Sequence, residues 1–334
     1  MRYRTFGRLG WKVSELSFGA WAIGGDAWGR TDDSESLRTL EEALDLGVNF
    51  IDTAQAYGDG HSEELIGKTL AARGSGAERV YVATKIPPAD KKLWWVDPDY
   101  DDIQRFYPSA YLRERVEMSL RRLKVETLDL IQLHTWTSGF NKYTEWQETL
   151  EDLRRQGKLL AYGISASEQR PADVTPLVEA GRIDSVQVIY NLFEQGTGRT
   201  VLAPCGRNGV ATIVRVPLDE GSLTGKFTAQ TTFPKGDFRR HYFRGDNLKV
   251  TLEHVERVRQ FKAERYPELS MVDLALLYTL SHPDAGTVIV GLKNREQLRQ
   301  NLKVTGMELF KPTALAELAQ FEWNRDPWSQ DLKA

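Results

Sequence analysis

A chain of 334 residues carries 44 Lys and Arg against 47 Asp and Glu, a formal net charge of -3, which excludes the strongly basic surface that recruits nucleic acid or an anionic membrane. Its only cysteine, Cys205, excludes an intrachain disulfide and a thiolate metal site. Hydrophobic residues at 41% and charged residues at 27% suit a soluble globular protein with a sizeable core, and no apolar run reaches the roughly 20 residues of a membrane-spanning helix.

The N-terminal run MRYRTFGRLG has basic residues but no apolar stretch behind them, so no signal peptide is expected and the cytoplasm is the expected compartment. Tyr3 to Ser14 reads as a short hairpin around Gly7-Arg8-Leu9-Gly10. Short apolar runs then alternate with amphipathic stretches. LSFGA (16–20) is the first strand of the main fold; SESLRTLEEALDLG (34–47) is a helix with Leu37, Leu40, Ala43 and Leu44 on one face, stopped by Gly47. NFID (49–52) is the second strand and SEELIGKTLAA (62–72) a helix. VYVATK (80–85) is the third strand; the helix after it, from Ser109, places Tyr111, Leu112, Val116, Leu120 and Leu123 at helical spacing. LDLIQLH (128–134) is followed by a helix that Gly157 caps, and LLAYGIS (159–165) by the helix ADVTPLVEAG (172–181). SVQVIYN (185–191) and VATIVRV (210–216) flank a further helix, 199–209. Helices over 250–265 and 271–283 precede the eighth strand, GTVIVG (286–291); the helix NREQLRQNLKV (294–304) and another from about Thr313 to Glu322 follow it.

Eight strands alternating with helices predict a parallel sheet, and the number favours closure into a (β/α)8 TIM barrel. The expectation is one domain over 1–334, with the hairpin at 1–14 and an extra helix and tail at 312–334. An open doubly wound sheet would call for G-x-G-x-x-G after the first strand, and none is there. Two insertions, Ile86 to Pro108 and Pro217 to Asn247, leave the C-terminal ends of strands, where barrel active sites are built.

Three successive strands end on chemistry. Asp52 closes the second strand with Tyr57 five residues on, Lys85 closes the third and His134 the fourth. Adjacent strands of a barrel bring these side chains to one mouth. A free tyrosine is a poor acid at neutral pH, and an ammonium beside its oxygen would lower its pKa. A carboxylate would fix the lysine, and a neutral imidazole would orient a carbonyl oxygen or relay a proton. The five histidines, at 61, 134, 241, 254 and 282, form no ligand-spaced pair on strand ends, so no metal site is expected.

The runs NFIDTAQAYGDGHSEELIG, VATK, DLIQLH, YGIS, QVIYN and PLDEGSLTGKF, in this order and spacing, resemble the aldo-keto reductase superfamily over almost the whole chain. The resemblance implies a (β/α)8 barrel that binds NADP(H) without a Rossmann domain and reversibly reduces an aldehyde or ketone to an alcohol. It implies Tyr57 as general acid, Lys85 and Asp52 as its tuners, and His134 as the carbonyl-orienting residue. Ser165 and Gln187 match positions that hold the nicotinamide carboxamide, with Ala166 where many relatives have Asn. Arg215 stands where many relatives stack an aromatic on the nicotinamide; a cation there implies a bias toward the reduced cofactor. Pro217, Leu218, Gly221, Ser222, Leu223 and Lys226 match the loop that wraps the pyrophosphate. Gly291, Lys293, Gln297 and Asn301 match the adenosine and 2′-phosphate site, with Gln300 where relatives often carry Glu, and Lys293 or Arg295 is expected to pair with the phosphate.

Trp21, Trp28, Trp94, Trp95 and Trp136 are the candidate walls of a pocket for a small carbonyl or alcohol substrate. Asp219 and Glu220 are expected to pair with Lys226 or to close a loop over the cofactor, and the segment from Trp323 to Trp328 to fold back over the mouth. Channel β-subunit relatives of the superfamily supply the alternative reading, a cofactor-binding sensor or scaffold with slow turnover. Neither a nucleic-acid nor a membrane partner is expected, and the oligomeric state stays open.

Overall fold

A computed structural model describes residues 1–25, 27–29, 31–74, 76–90, 94 and 100–325. Strands β1 (Tyr3–Phe6) and β2 (Trp11–Ser14) form the expected antiparallel hairpin. Eight further strands, β3 (Leu16–Gly19), β4 (Phe50–Asp52), β5 (Tyr81–Ile86), β6 (Leu128–Leu133), β7 (Leu159–Ser165), β8 (Ser185–Ile189), β9 (Ala211–Arg215) and β10 (Thr287–Gly291), close into a parallel barrel in the order β10-β3-β4-β5-β6-β7-β8-β9. Sequential neighbours pair all the way round, so every strand end named from the sequence opens on one rim.

The hairpin plugs the opposite end. Phe6 is fully buried against Phe50 at a 5.2 Å ring separation, and it joins Ala83, Leu130, Ala161, Ile213 and Ile289 in a core inside the barrel. A larger core lies between the strands and the outer helices. The helices fall where the periodicity places them, among them Asp33–Asp45, His61–Arg73, Ser109–Leu123, Glu145–Arg155 and Asn247–Arg265. The last of these begins three residues earlier than expected, with Asp246 at its N-terminal boundary. Thr175–Glu179 and Ala203–Arg207 are shorter than expected because the turns before them wind as a 3-10 and a π segment. Among the described residues no helix is long and apolar enough to cross a membrane.

Packing explains much of the motif that follows β4. Gly58 has φ +61°, and a Cβ there would lie 2.1 Å from the Gly24 carbonyl oxygen, so only glycine lets this turn approach the loop after β3. Gly67 allows its helix to touch the end of Ser109–Leu123, since a Cβ would lie 2.3 Å from the Arg122 carbonyl oxygen. The Thr53 and Ser62 hydroxyls share a 2.8 Å hydrogen bond, and Ser62 donates to the Ala20 carbonyl. Buried Glu63 accepts hydrogen bonds from Thr84 and Ser119. These contacts fix the turn that carries Tyr57.

Candidate active site

The four rim residues meet. Lys85 is completely buried, and its Nζ donates to Asp52 Oδ2 at 2.7 Å, the Thr53 carbonyl at 2.8 Å and Tyr57 OH at 3.1 Å. Three donor hydrogens thus find three acceptors. Gln187 donates to the other Asp52 oxygen at 2.7 Å, so the carboxylate is held on both sides. His134 follows β6 directly, tied through its backbone N–H to the Ile86 carbonyl, and its ring meets Tyr57 edge-on at 6.0 Å. Its Nδ1 is buried with no hydrogen-bond partner among the described residues.

Electrostatics set the protonation states. Burial pushes Asp52 up and Lys85 down from their ordinary values, and the charge of each partner opposes the shift of the other. Burial lowers His134 well below its usual range, helped by the charges of Lys85 and Arg215, so the imidazole is neutral. Tyr57 departs from the expectation that lysine makes it a stronger acid. Burial, then Asp52, raises the phenol well above its usual value; Arg215 opposes and Glu220 adds to the rise. Burial is the dominant cause, because it disfavours the charged phenolate. Tyr57 therefore stays protonated at neutral pH.

The aromatic candidates divide. Trp21 stacks on Tyr57 at 5.9 Å and on Phe238 at 4.7 Å, and Trp28 meets both Trp21 and Phe238 edge-on. Trp94 meets His134 edge-on at 4.8 Å. These three line the approach to Tyr57. Trp136 does not: it is 1% exposed, packs against Phe140 and Trp146, and gives its indole N–H to Asn141. Three residues past the strand, the chain has already turned into the layer between strand and helix, so Trp136 is core. Trp95 lies outside the described residues. Phe238 was invisible in the sequence; it comes from the insertion after β9 and reaches across the mouth to bond its N–H to the Ala27 carbonyl.

The residues matched to a cofactor lie along the same rim. Ser165 and Gln187 pair in register across β7 and β8. Arg215 forms a 3.0 Å ion pair with Glu168, which offsets its charge toward whatever stacks there. The loop after Pro217 and Leu218 runs through three successive left-handed residues, Asp219, Glu220 and Gly221. Within it Leu223 is core, Ser222 bonds Asp219, and Lys226 is exposed. Asp219 does not pair with Lys226. It pairs with Arg325 of the C-terminal segment, a buried contact, and also accepts from Tyr242. That segment thus folds back onto the loop, with Arg325 over the Trp323 ring at 4.5 Å.

Beyond β10, Gly291 is exposed, Gln297 accepts from the Lys293 backbone N–H at 3.0 Å, and Asn301 is buried. Arg295 is held by Glu35 at 3.2 Å. Half-buried Lys293 donates to the Trp28 carbonyl and lies 5.6 Å from the Trp28 ring centroid, while Arg239 covers the same ring at 4.6 Å. Burial and the Arg239 charge both lower the Lys293 pKa, and only Asp237 opposes them. Arg239 is itself held by Asp237, whose carboxylate accepts from its Nε at 2.9 Å.

Glu220 is 7% exposed, and burial, Glu168 and Asp219 push its carboxyl up from 4.5 to about 8. Between those two values the folded chain keeps a proton that the unfolded chain has released, so stability falls as pH rises through that window. The Glu220→Gln variant should melt several degrees higher than the parent at pH 9 and about equally at pH 4, in thermal denaturation followed by circular dichroism; an unchanged difference across pH would contradict this.

The family model for the aldo/keto reductase family matches residues 15–322. The chain is 33% identical over 311 residues to aldo-keto reductase YhdN of Bacillus subtilis (strain 168), covering 92% of this chain and 90% of that protein. It is 28% identical to the NADH-specific methylglyoxal reductase of Escherichia coli (strain K12), over 92% of this chain and 95% of that one. The solved structure of the glycerol dehydrogenase AKR11B4 from Gluconobacter oxydans superposes with a TM-score of 0.76 at 28% identity, over 96% of this chain and 94% of its own. The strand order, the clustered rim residues and these likenesses lead to one conclusion: the chain is an oxidoreductase that belongs to the aldo/keto reductase family.

Proposed function

We propose that the protein reduces a small aldehyde or ketone to its alcohol with NADPH. The observation that carries this reading is the buried chain of contacts from Gln187 through Asp52 and Lys85 to the Tyr57 hydroxyl, with neutral His134 beside it. Tyr57 places its proton at the substrate oxygen. Lys85 holds the phenol oxygen through donation and steadies the negative charge that grows on it as the proton leaves. Asp52 and Gln187 keep the lysine in place, and His134 orients the carbonyl. Trp21, Trp28, Trp94 and Phe238 exclude water from the approach. The raised pKa of Tyr57 supports the reductive direction, because it keeps the proton on the donor.

Ser165 and Gln187 would hold the carboxamide, the loop from Pro217 to Lys226 the pyrophosphate, and Lys293 with Arg239 the 2′-phosphate. When bound there, the reduced nicotinamide supplies the hydride. The choice of NADP(H) over NAD(H) rests on the two cations at Trp28. On this reading Lys293→Ala raises the Kd for NADPH at least about tenfold, roughly 1.4 kcal/mol, and shifts NADH less than about threefold. Fluorescence titration with both cofactors checks it, and equal losses would refute the phosphate assignment.

The reaction itself is tested by following NADPH absorbance across a panel of aldehydes, ketones and dicarbonyls. Turnover with at least one class is expected. Tight cofactor binding with no turnover across the panel would favour a sensor.

A further inference from the structure

We propose that the cleft between the loops after β7, β8 and β9 and the C-terminal segment is a second binding site, for a small organic cation bearing ammonium groups. The cleft has a volume of about 370 Å³; neither Tyr57, Lys85 nor His134 lines it, while Asp219 and Glu220 come from the loop assigned above to the pyrophosphate. Its charged lining is Glu168, Glu194, Asp219, Glu220 and Arg325, four carboxylates against one guanidinium. Arg325 is committed to Asp219, and Glu168 to Arg215. Glu194 and Glu220 remain, and among the described residues neither side chain has a hydrogen-bond or ion-pair partner.

Glu220 carries the argument, since it is 93% buried and lines the cleft without a partner. Burying a carboxyl with no protein donor opposite it is unfavourable unless water in the cleft or a ligand supplies one. The donor must be cationic, because an anion would meet the surplus of acidic groups. It is an organic cation and not a metal ion, because among the described residues no three His, Cys, Asp or Glu side chains are arranged to hold one. An ammonium offers three donors on a flexible stem and suits two separated carboxyls.

The site has a titration signature. The groups that act on Glu220 are Glu168 from the β7 loop, Asp219 and Arg215 beside it in the chain, and Arg239 from the segment after the loop; Tyr57 and Tyr242 feel its charge in turn. Glu194 faces Arg325, Asp219, Glu322 and Glu168. Burial pushes Glu194 up to about 7 and Glu220 up to about 8, so in the empty cleft at neutral pH Glu194 is about half and Glu220 largely protonated. An arriving ammonium favours their ionised forms, and binding releases protons. A neutral polyol would release none. Because the charge of Glu220 reaches Tyr57, an occupied cleft would also be felt at the catalytic rim.

The test is calorimetry on the full chain at pH 7 and low salt, with 1,4-diaminobutane, 1,4-butanediol and succinate as probes. The diamine should give a saturable isotherm with a Kd below about 1 mM, and its heat should vary with buffer ionisation enthalpy as protons leave. The diol and the dianion should give none. Glu194→Gln and Glu220→Gln should each weaken the diamine about tenfold, with melting curves showing both variants folded, and Glu194→Gln should keep its turnover on a neutral aldehyde. Equal binding of diol and diamine, absence of diamine binding, or undiminished binding by the Glu194→Gln/Glu220→Gln double variant would overturn the proposal. The readout is binding, so its failure is separable from failure of the catalytic reading.

Discussion

Tyr57→Phe lowers carbonyl-reducing turnover by about 10³-fold or more while the Kd for NADPH stays within about threefold. The substitution deletes one oxygen, the one that Lys85 Nζ contacts at 3.1 Å. The ring remains to stack on Trp21, so the wall of the approach survives. No other described side chain on this rim takes over the proton: His134 is held neutral by burial and by the neighbouring cations, and Lys85 is bound to Asp52. A general acid contributes about 10² to 10⁴ in rate, which sets the size of the loss. Steady-state kinetics beside cofactor titration decide the matter. Turnover within tenfold of the parent would remove Tyr57 from the role of donor.

Lys85→Met should abolish turnover to a similar extent and should also destabilise the fold by about 3 kcal/mol, which distinguishes it from Tyr57→Phe. Methionine fills the volume of the lysine stem but leaves Asp52, which is 1% exposed, without its cation. The Thr53 carbonyl loses its donor as well. The Gln187 hydrogen bond remains, and Asp52 takes up a proton more readily, so the loss stays below the cost of a bare buried charge. Adding Asp52→Asn to Lys85→Met should recover part of the stability and none of the activity. Urea denaturation of the single and double variants measures the first, and NADPH oxidation the second. Equal stability of Lys85→Met and parent would show that the buried pair contributes nothing to the fold.

The rim group was legible because Asp52, Lys85 and His134 sit at or just past strand ends and Tyr57 follows one of them by five residues, and a strand end is a local property of the chain. Apolar alternation marks where β4, β5 and β6 stop, and the polar residue at each stop is named without knowing any contact. The same reading failed at Trp136, two residues past His134, because the direction of a side chain beyond a strand depends on the helix packed behind it. It failed for Asp219 too. Lys226 lies in the same loop, but Arg325, 106 residues on, is the partner in space. Phe238 left no local signal, since one aromatic in a long insertion looks like any other until the loop is seen to cross the mouth to Trp21 and Trp28.

What the sequence determined by itself is the alternation of strands and helices, the barrel they close into, and the identity of the four residues on its rim, because periodicity and strand boundaries are encoded within a few residues of each position. The tertiary structure alone decided the charge states and partners. Burial raises the Tyr57 phenol instead of lowering it, Gln187 holds Asp52, the C-terminal segment is tied to the β9 loop, and the buried Glu220 and half-buried Glu194 carboxyls face an acidic cleft. Each of these follows from burial and from distances between residues far apart in the chain, and neither quantity exists until the barrel has closed.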